Sequence, residues 1–137
     1  MEKNKTETQT LQEICLFAKA NKSLTENHFS MLKTIFGQRF CNAWEAIEDS
    51  RVKRYIFKPS DRVVWIVVGK KRDYLILPNA GFCSCDDFYF GVMEGRSFLC
   101  YHLIAQKLAE ALGRYDLIEE DDELYEVLMK EWKEVTT

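Results

Sequence analysis

Three cysteines and one histidine near the middle of the chain have the types and spacing of ligands for a single zinc ion. Cys83 and Cys85 form a Cys-x-Cys pair, and Cys100 and His102 form a Cys-x-His pair after a gap of fourteen residues. Structural zinc sites are closed tetrahedra of thiolate and imidazole ligands. The pattern therefore predicts one structural Zn²⁺ per chain, held by these four side chains, with no open position for a substrate.

The other two cysteines, Cys15 and Cys41, fall in helical apolar patterns, and we expect both to be free thiols in the core. All five cysteines could in principle be buried in this way, because free cysteine is among the most buried residue types. The paired spacing favours the zinc site over that alternative. A disulfide framework is disfavoured because five is an odd number and the spacing is typical of metal ligands.

The ligand pattern resembles the SWIM-type zinc finger, which is defined by paired Cys-x-Cys and Cys-x-His motifs. Other segments resemble, in order and spacing, the short SWIM subunits of Shu complexes, and the resemblance covers about residues 25–112. The segments that carry it are 31–37, 43–47, 88–90 and 100–105. It implies an accessory role in homologous recombination, in which the chain pairs with a RecA-like recombinase paralogue and supports recombinase filaments on single-stranded DNA.

The sequence does not favour an enzyme or a small-molecule substrate. Asp86 and Asp87 follow the first ligand pair, but a closed three-thiolate shell leaves no metal-bound water for them to activate. The chain also has no phosphate-binding glycine loop and no His/Glu motif of zinc hydrolases. The alternative function is an autonomous DNA-binding SWIM module of the transposase or transcription-regulator type.

Basic residues are concentrated in residues 51–72, where eight of them stand against one acid. The net charge of the whole chain is only −3, so the broad basic surface of an autonomous DNA-binding protein is missing. Lys70, Lys71 and Arg72 share one predicted turn and are the candidate nucleic-acid contacts. The alternative is that they form a solvated surface opposite the acidic C-terminal segment.

The predicted fold class is α+β, in one domain that follows a disordered tail at residues 1–6. Residues 7–50 have the apolar period of helices. Residues 51–112 predict a small antiparallel β-meander and the zinc-stapled finger, in which Ser97 caps the helix that carries His102. Residues 113–137 predict a C-terminal helix.

Residues 121–135 carry an apolar stripe at helical spacing that includes Trp132, and Tyr125 lies in the same segment. This stripe could pack on the core of its own domain, or these two aromatic residues could contact a protein partner.

The chain has no run of eighteen apolar residues, and residues 1–10 are polar, unlike a secretory signal. We therefore expect no membrane association and an intracellular protein, nuclear in a eukaryote and in the cytoplasm or nucleoid of an archaeon or bacterium.

Overall fold

The computed structural model describes residues 2–94 and 99–133, and the predicted α+β fold class is confirmed. Six helices and five strands lie in these residues. In chain order they are α1 (Glu2–Asn21), α2 (Glu26–Phe36), α3 (Gln38–Glu48), β1 (Val52–Lys58), β2 (Arg62–Val68), β3 (Asp73–Leu77), β4 (Phe82–Cys83), α4 (Asp86–Met93), α5 (Tyr101–Leu112), β5 (Asp116–Asp121) and α6 (Tyr125–Lys133).

Local sequence determines where the first three helices begin and end. α1 begins at Glu2, earlier than the helical segment that the sequence predicted from residue 7, and the disordered tail at residues 1–6 stays a prediction. Thr25 and His28 form a capping box at the start of α2: the His28 amide donates to Thr25 Oγ1 at 3.2 Å, and the Thr25 amide donates to His28 Nδ1 at 3.1 Å. Gly37 separates α2 from α3. Its φ of +59° breaks the helical path, and residues other than glycine rarely adopt this backbone conformation.

The sheet is mixed, whereas the sequence predicted a purely antiparallel meander. Strands β1 to β4 are antiparallel neighbours, but β5 runs parallel to β1, giving the order β4-β3-β2-β1-β5. The helix predicted over residues 113–137 is therefore wrong for Asp116–Asp121, and α6 begins only at Tyr125. The acidic sequence of β5 has low strand propensity, so its pairing with β1, including a 2.6 Å ion pair between Lys53 Nζ and Asp116, selects the strand.

Helices cover both faces of the sheet. One face packs against the helical layer of α1, α2, α3 and α5, and its buried strand residues include Val52, Trp65, Val67 and Ile76. The opposite face packs against α6 and buries Phe57, Val64, Ile66 and Leu75. Helix α5 packs against α1 and α3 as well as the sheet, and this central position brings its first turn to the edge formed by β3 and β4.

Candidate metal centre

The four predicted ligands meet at one buried point. Their ligand atoms, the sulfurs of Cys83, Cys85 and Cys100 and a ring nitrogen of His102, all lie within 4.8 Å of one another. Sulfur ligands of a tetrahedral zinc ion, with Zn–S distances near 2.3 Å, are about 3.8 Å apart. The cluster therefore needs only a small contraction to close around one ion.

The imidazole of His102 supports a bound cation independently of this spacing. Both ring nitrogens are buried and have no hydrogen-bond partner among the described residues. A buried polar atom without a partner is costly, so such atoms usually have an unobserved water or ion as a partner. A zinc ion would satisfy one nitrogen, and it matches the three-sulfur, one-nitrogen donor set.

The first ligand pair is fixed by the edge of the sheet. Cys83 lies on β4 opposite Ile76 of β3. Two hydrogen bonds hold the intervening Ser84 against Leu75. The Ser84 amide donates to the Leu75 carbonyl at 3.1 Å, and the Leu75 amide donates to the Ser84 hydroxyl at 3.0 Å. Because alternate side chains of an extended segment point the same way, Cys83 and Cys85 are both directed to the helical side.

The second ligand pair is fixed by the start of α5. Cys100 is the N-cap residue, in an extended conformation with φ −74° and ψ 168°, and its side chain makes no capping hydrogen bond. The thiol therefore remains available to a metal, while His102 follows in the first turn. Ser97, which the sequence predicted as the cap, lies outside the described residues.

Aromatic rings hold the imidazole in place. The ring centroids of Tyr74 and Tyr101 lie 4.1 and 3.9 Å from that of His102. The Arg72 guanidinium lies 4.9 Å from the Tyr74 ring centroid and donates a 2.6 Å hydrogen bond to the Ser84 carbonyl. The sequence analysis missed this supporting shell; only the adjacency of Tyr101 to His102 could have indicated it.

The pKa values of the clustered thiols are shifted in opposite directions. Hydrogen bonds with Cys100 and Cys83 lower the pKa of Cys85, whose sulfur also accepts a hydrogen bond from the Phe88 amide at 3.3 Å. Hydrogen bonds with Cys100 and Cys85, together with burial, raise the pKa of Cys83. Ligation of one metal ion by all three cysteines requires each thiol to release its proton.

The two other cysteines do not join the cluster. Cys15 is half-buried, so it lies only partly in the predicted core. Its thiol donates a hydrogen bond to the Lys107 carbonyl at 3.7 Å. Cys41 is exposed, so the prediction that it lies in the core is wrong. Asp86 is exposed and is not among the clustered donors, and the side chain of Asp87 lies outside the described part of the structure.

The candidate nucleic-acid residues divide into two kinds. Lys70 and Lys71 are exposed on the turn between β2 and β3. Arg72 is half-buried and supports the ligand loop through Ser84 and Tyr74. Of the three candidate residues, the two exposed lysines are therefore the ones whose charged groups are available to a nucleic acid.

The candidate partner residues Tyr125 and Trp132 pack on the protein's own sheet. The Tyr125 ring lies edge-on to Phe57 at 5.1 Å, and the Arg62 guanidinium lies 3.9 Å from its centroid. Trp132 is buried and lies edge-on to Tyr55 at 4.9 Å. The stripe thus packs on the core of its own domain, which is the first of the two alternatives, and a partner contact of Tyr125 and Trp132 stays a prediction.

The α+β fold and the clustered Cys-x-Cys and Cys-x-His donors define a SWIM-type zinc-finger protein. No protein-family model matches the chain. It is 32% identical over 127 residues to "Zinc finger SWIM domain-containing protein 7 homolog" of Dictyostelium discoideum, covering 90% of this chain and 81% of that protein. It therefore belongs to the family of Zinc finger SWIM domain-containing protein 7.

Two further relatives agree with this assignment or extend its range. Zinc finger SWIM domain-containing protein 7 of Mus musculus is 26% identical over 130 residues, which cover 93% of this chain and 85% of the mouse protein. An uncharacterized protein of Archaeoglobus fulgidus is 36% identical over 91 residues, covering 66% of this chain and 71% of that protein. Similar sequences thus occur in both eukaryotes and archaea.

In the part of this chain that is described, no helix has the length and apolar character to cross a membrane.

Proposed function

We propose that this chain is a non-enzymatic zinc-finger subunit of homologous recombination repair, which pairs with a RecA-like recombinase paralogue and supports recombinase filaments on single-stranded DNA. The observation that carries the proposal is the buried cluster of Cys83, Cys85, Cys100 and His102 in a chain of this family. Four donors complete a zinc shell, so the ion has no vacant position for a substrate or an activated water. Such a subunit works where genomic DNA is, in the nucleus of a eukaryote or the nucleoid of a prokaryote.

The role of the zinc in this proposal is mechanical. The ion links the edge strand β4 to the first turn of α5, two elements whose ligands are separated by residues 86–99 in sequence. Structural zinc contributes its binding free energy to folding. The link therefore holds the finger in the conformation that a partner recognises.

The test is co-expression with each RecA-like paralogue encoded in the same genome, followed by purification through a tag on this chain. We expect one paralogue to co-purify in a 1:1 ratio and to be lost from the Cys83→Ser and His102→Ala variants. Cys41→Ser is the matched control, because Cys41 is exposed and outside the cluster, and it should retain the partner. The proposal fails if no paralogue co-purifies, or if the ligand variants retain it as well as the parent does.

One observation favours the alternative of an autonomous DNA-binding module. Lys70 and Lys71 are exposed on a turn whose next residue, Arg72, contacts the ligand loop at Ser84. Two cations beside a zinc finger could contact a phosphate backbone directly. Tight binding of DNA by the chain alone would favour this alternative.

A further inference from the structure

The helical layer leaves one corner of the sheet bare of described residues. Phe57 and Val64 face α6, so their neighbours Ile56 and Val63 face the opposite, helical side, because side chains alternate along a strand. Ile56 pairs with Val63 across β1 and β2, and Leu117 on β5 lies on the same face. Ile56 is only half-buried, Val63 is 37% exposed and Leu117 is 60% exposed. The corner is thus a largely apolar surface that the described helices do not cover, with the exposed carboxylate of Glu119 at its β5 border, opposite Ile56.

A cavity adjoins this corner. It has a volume of about 670 Å³ and lies between α1, α5 and the β1–β5 edge. Arg54 lines it and is the register partner of Leu117, so the cavity and the bare corner share a border. Its apolar lining includes Leu11, Leu16 and Tyr115, and Leu16 is itself 69% exposed. The two features form one groove, which we call the α1–sheet groove.

The charges that line the groove are mostly positive. Lys19, Arg54 and Lys107 contribute cations, and Glu110 contributes a carboxylate that accepts a 2.8 Å hydrogen bond from the Gln106 amide. Among the described side chains, no carboxylate lies within 4.0 Å of any of these three cations. The groove therefore combines an apolar floor with three cations that have no ion-pair partner among the described side chains, and its acidic groups are Glu110 in the cavity and Glu119 beside Ile56.

We propose that the α1–sheet groove binds an acidic amphipathic helix of a protein partner. The apolar side of such a helix would cover Ile56, Val63 and Leu117, and its flanking carboxylates would meet the cations of the groove. Placed beside α1 on the sheet, it would extend the helical layer over the strands that the layer leaves bare. This inference deepens the proposed function and rests on it only in requiring a protein partner.

A helix fits the groove better than a nucleic acid does. Exposed apolar patches on soluble proteins usually mark contacts with apolar side chains of a partner. A phosphate backbone would satisfy the cations but would leave Leu16 and Leu117 facing polar groups. Only an occupant with both carboxylates and apolar side chains matches both properties of the groove.

The test uses two fluorescein-labelled peptides of about eighteen residues, long enough to form a helix on binding. Both carry leucines at i, i+3, i+4 and i+7, and the flanking positions are glutamate in one and lysine in the other. We expect fluorescence anisotropy to show that the zinc-loaded protein binds the glutamate peptide at least about tenfold more tightly. A variant carrying Lys19→Glu and Lys107→Glu should reverse this preference.

The matched control carries Lys70→Glu and Lys71→Glu, which makes the same change of charge on the exposed turn between β2 and β3, outside the cavity lining, and it should keep the parent's preference. Circular dichroism should show that both variants are folded. The inference is overturned if neither peptide binds, if both bind equally, or if the control reverses the preference as the groove variant does. Peptide binding without co-purification of a paralogue would support the helix-binding groove and reject the proposed partner. Co-purification without peptide binding would support the proposed partner and reject the helix-binding groove.

Discussion

Among the four donors, His102 gives the strongest indication of a bound metal ion. Its imidazole lies between two tyrosine rings, and neither ring nitrogen has a partner among the described residues. The rings orient the imidazole but offer its nitrogens no conventional hydrogen bond. A metal ion bound by one nitrogen is the partner that this environment supports.

The first prediction is the metal content. The purified protein should contain one zinc per chain by elemental analysis, because its four donors complete a single shell. Cys83→Ser should lose most of the zinc, and Cys41→Ser should keep all of it, since Cys41 is exposed and away from the cluster. Equal loss from both variants, or a parent without zinc, would contradict the assignment.

The second prediction concerns the two cysteines outside the cluster. Burial raises the pKa of the Cys15 thiol to about 11, so at pH 8 it is almost entirely protonated and a poor nucleophile. Iodoacetamide should therefore modify the exposed Cys41 of the zinc-loaded protein first, and the Cys15 rate should rise steeply only as the pH approaches 11. Peptide mass spectrometry measures both rates. Comparable rates at pH 8 would show that Cys15 is not shielded as described.

Residue types and spacing were sufficient to predict the four donors, because a Cys-x-Cys and a Cys-x-His pair specify their chemistry locally. The same approach failed for Cys41. Helical periodicity groups residues by face, and Cys41 is flanked on α3 by the buried residues Phe40 and Ala43. Whether its own position is covered depends on how α3 packs, which the local pattern does not specify.

At the scale of elements, the turn between β2 and β3 supports the metal centre. A Cβ atom at Gly69 would lie 2.6 Å from Tyr74 Cε2 and 2.7 Å from the Arg72 carbonyl oxygen. Any side chain there must therefore displace Tyr74, whose ring lies against that of His102. The glycine is required by this close approach.

The third prediction is that Gly69→Ala speeds the loss of zinc to a chelator, measured with a colorimetric zinc indicator. The control is Gly113→Ala at the end of α5, where φ is +73° and the nearest atom to a new Cβ is Lys22 Nζ at 3.9 Å. Left-handed strain should cost the control about 1–2 kcal/mol of unfolding free energy while its zinc release stays close to that of the parent. Similar release rates in the two variants would remove Tyr74 from the support of the site.

The fourth prediction concerns α6. Trp132 is 6% exposed and packs against Tyr55, so Trp132→Ala should lower the free energy of unfolding by about 3–5 kcal/mol in urea denaturation. Val127 on the same helix is 62% exposed, and Val127→Ala should change stability by less than about 0.5 kcal/mol. A small effect at Trp132 would mean that α6 is only loosely attached to the sheet and would restore its candidacy as a partner contact.

Elements with strong local signals can be recognised from the sequence, and those selected by distant contacts cannot. The hydrophobic run in β2 and the Thr25 cap of α2 are recognisable from a few residues. Strand β5 has no such signal, because four of its six residues are acidic and its extended form depends on β1, which lies far away in sequence. The helix assigned to residues 113–137 rested on the apolar stripe of residues 121–135, which carries no information about the residues before it.

At the scale of the whole molecule, the charge distribution limits binding to nucleic acid. The net charge is −3, and Lys70 and Lys71 are the exposed cations of the candidate turn. Each phosphate contact on single-stranded DNA contributes about −0.7 to the slope of log K against log salt concentration. Two lysines therefore account for a slope of only about −1.4.

The fifth prediction follows from that limit. The free protein should bind labelled single-stranded oligonucleotides weakly or not at all near physiological salt, and its complex with a recombinase paralogue should bind them better than duplex. In the complex, Lys70→Ala with Lys71→Ala should make the salt slope shallower by about 1.4 if the turn faces DNA. Arg72 is left intact because it supports Ser84.

The matched control for this experiment is Lys130→Ala with Lys133→Ala, which removes two exposed lysines from α6 and should leave the slope unchanged. Fluorescence anisotropy across a salt series gives both slopes. An unchanged slope in the Lys70 and Lys71 variant would show that the turn is only solvated surface. Tight binding by the free protein would instead favour the autonomous DNA-binding module.

The return of β5 to the side of β1 has a consequence for the order in which the chain folds. Lys53 and Asp116 form an ion pair across 63 residues, and three strands, two helices and the ligand loop lie between them. The entropy cost of closing such a loop grows with its length, and zinc bound across residues 83–102 shortens the free part of it. A newly made chain that acquires zinc early thus completes its sheet sooner, whereas zinc starvation prolongs the time during which β1 is an unprotected edge open to aggregation.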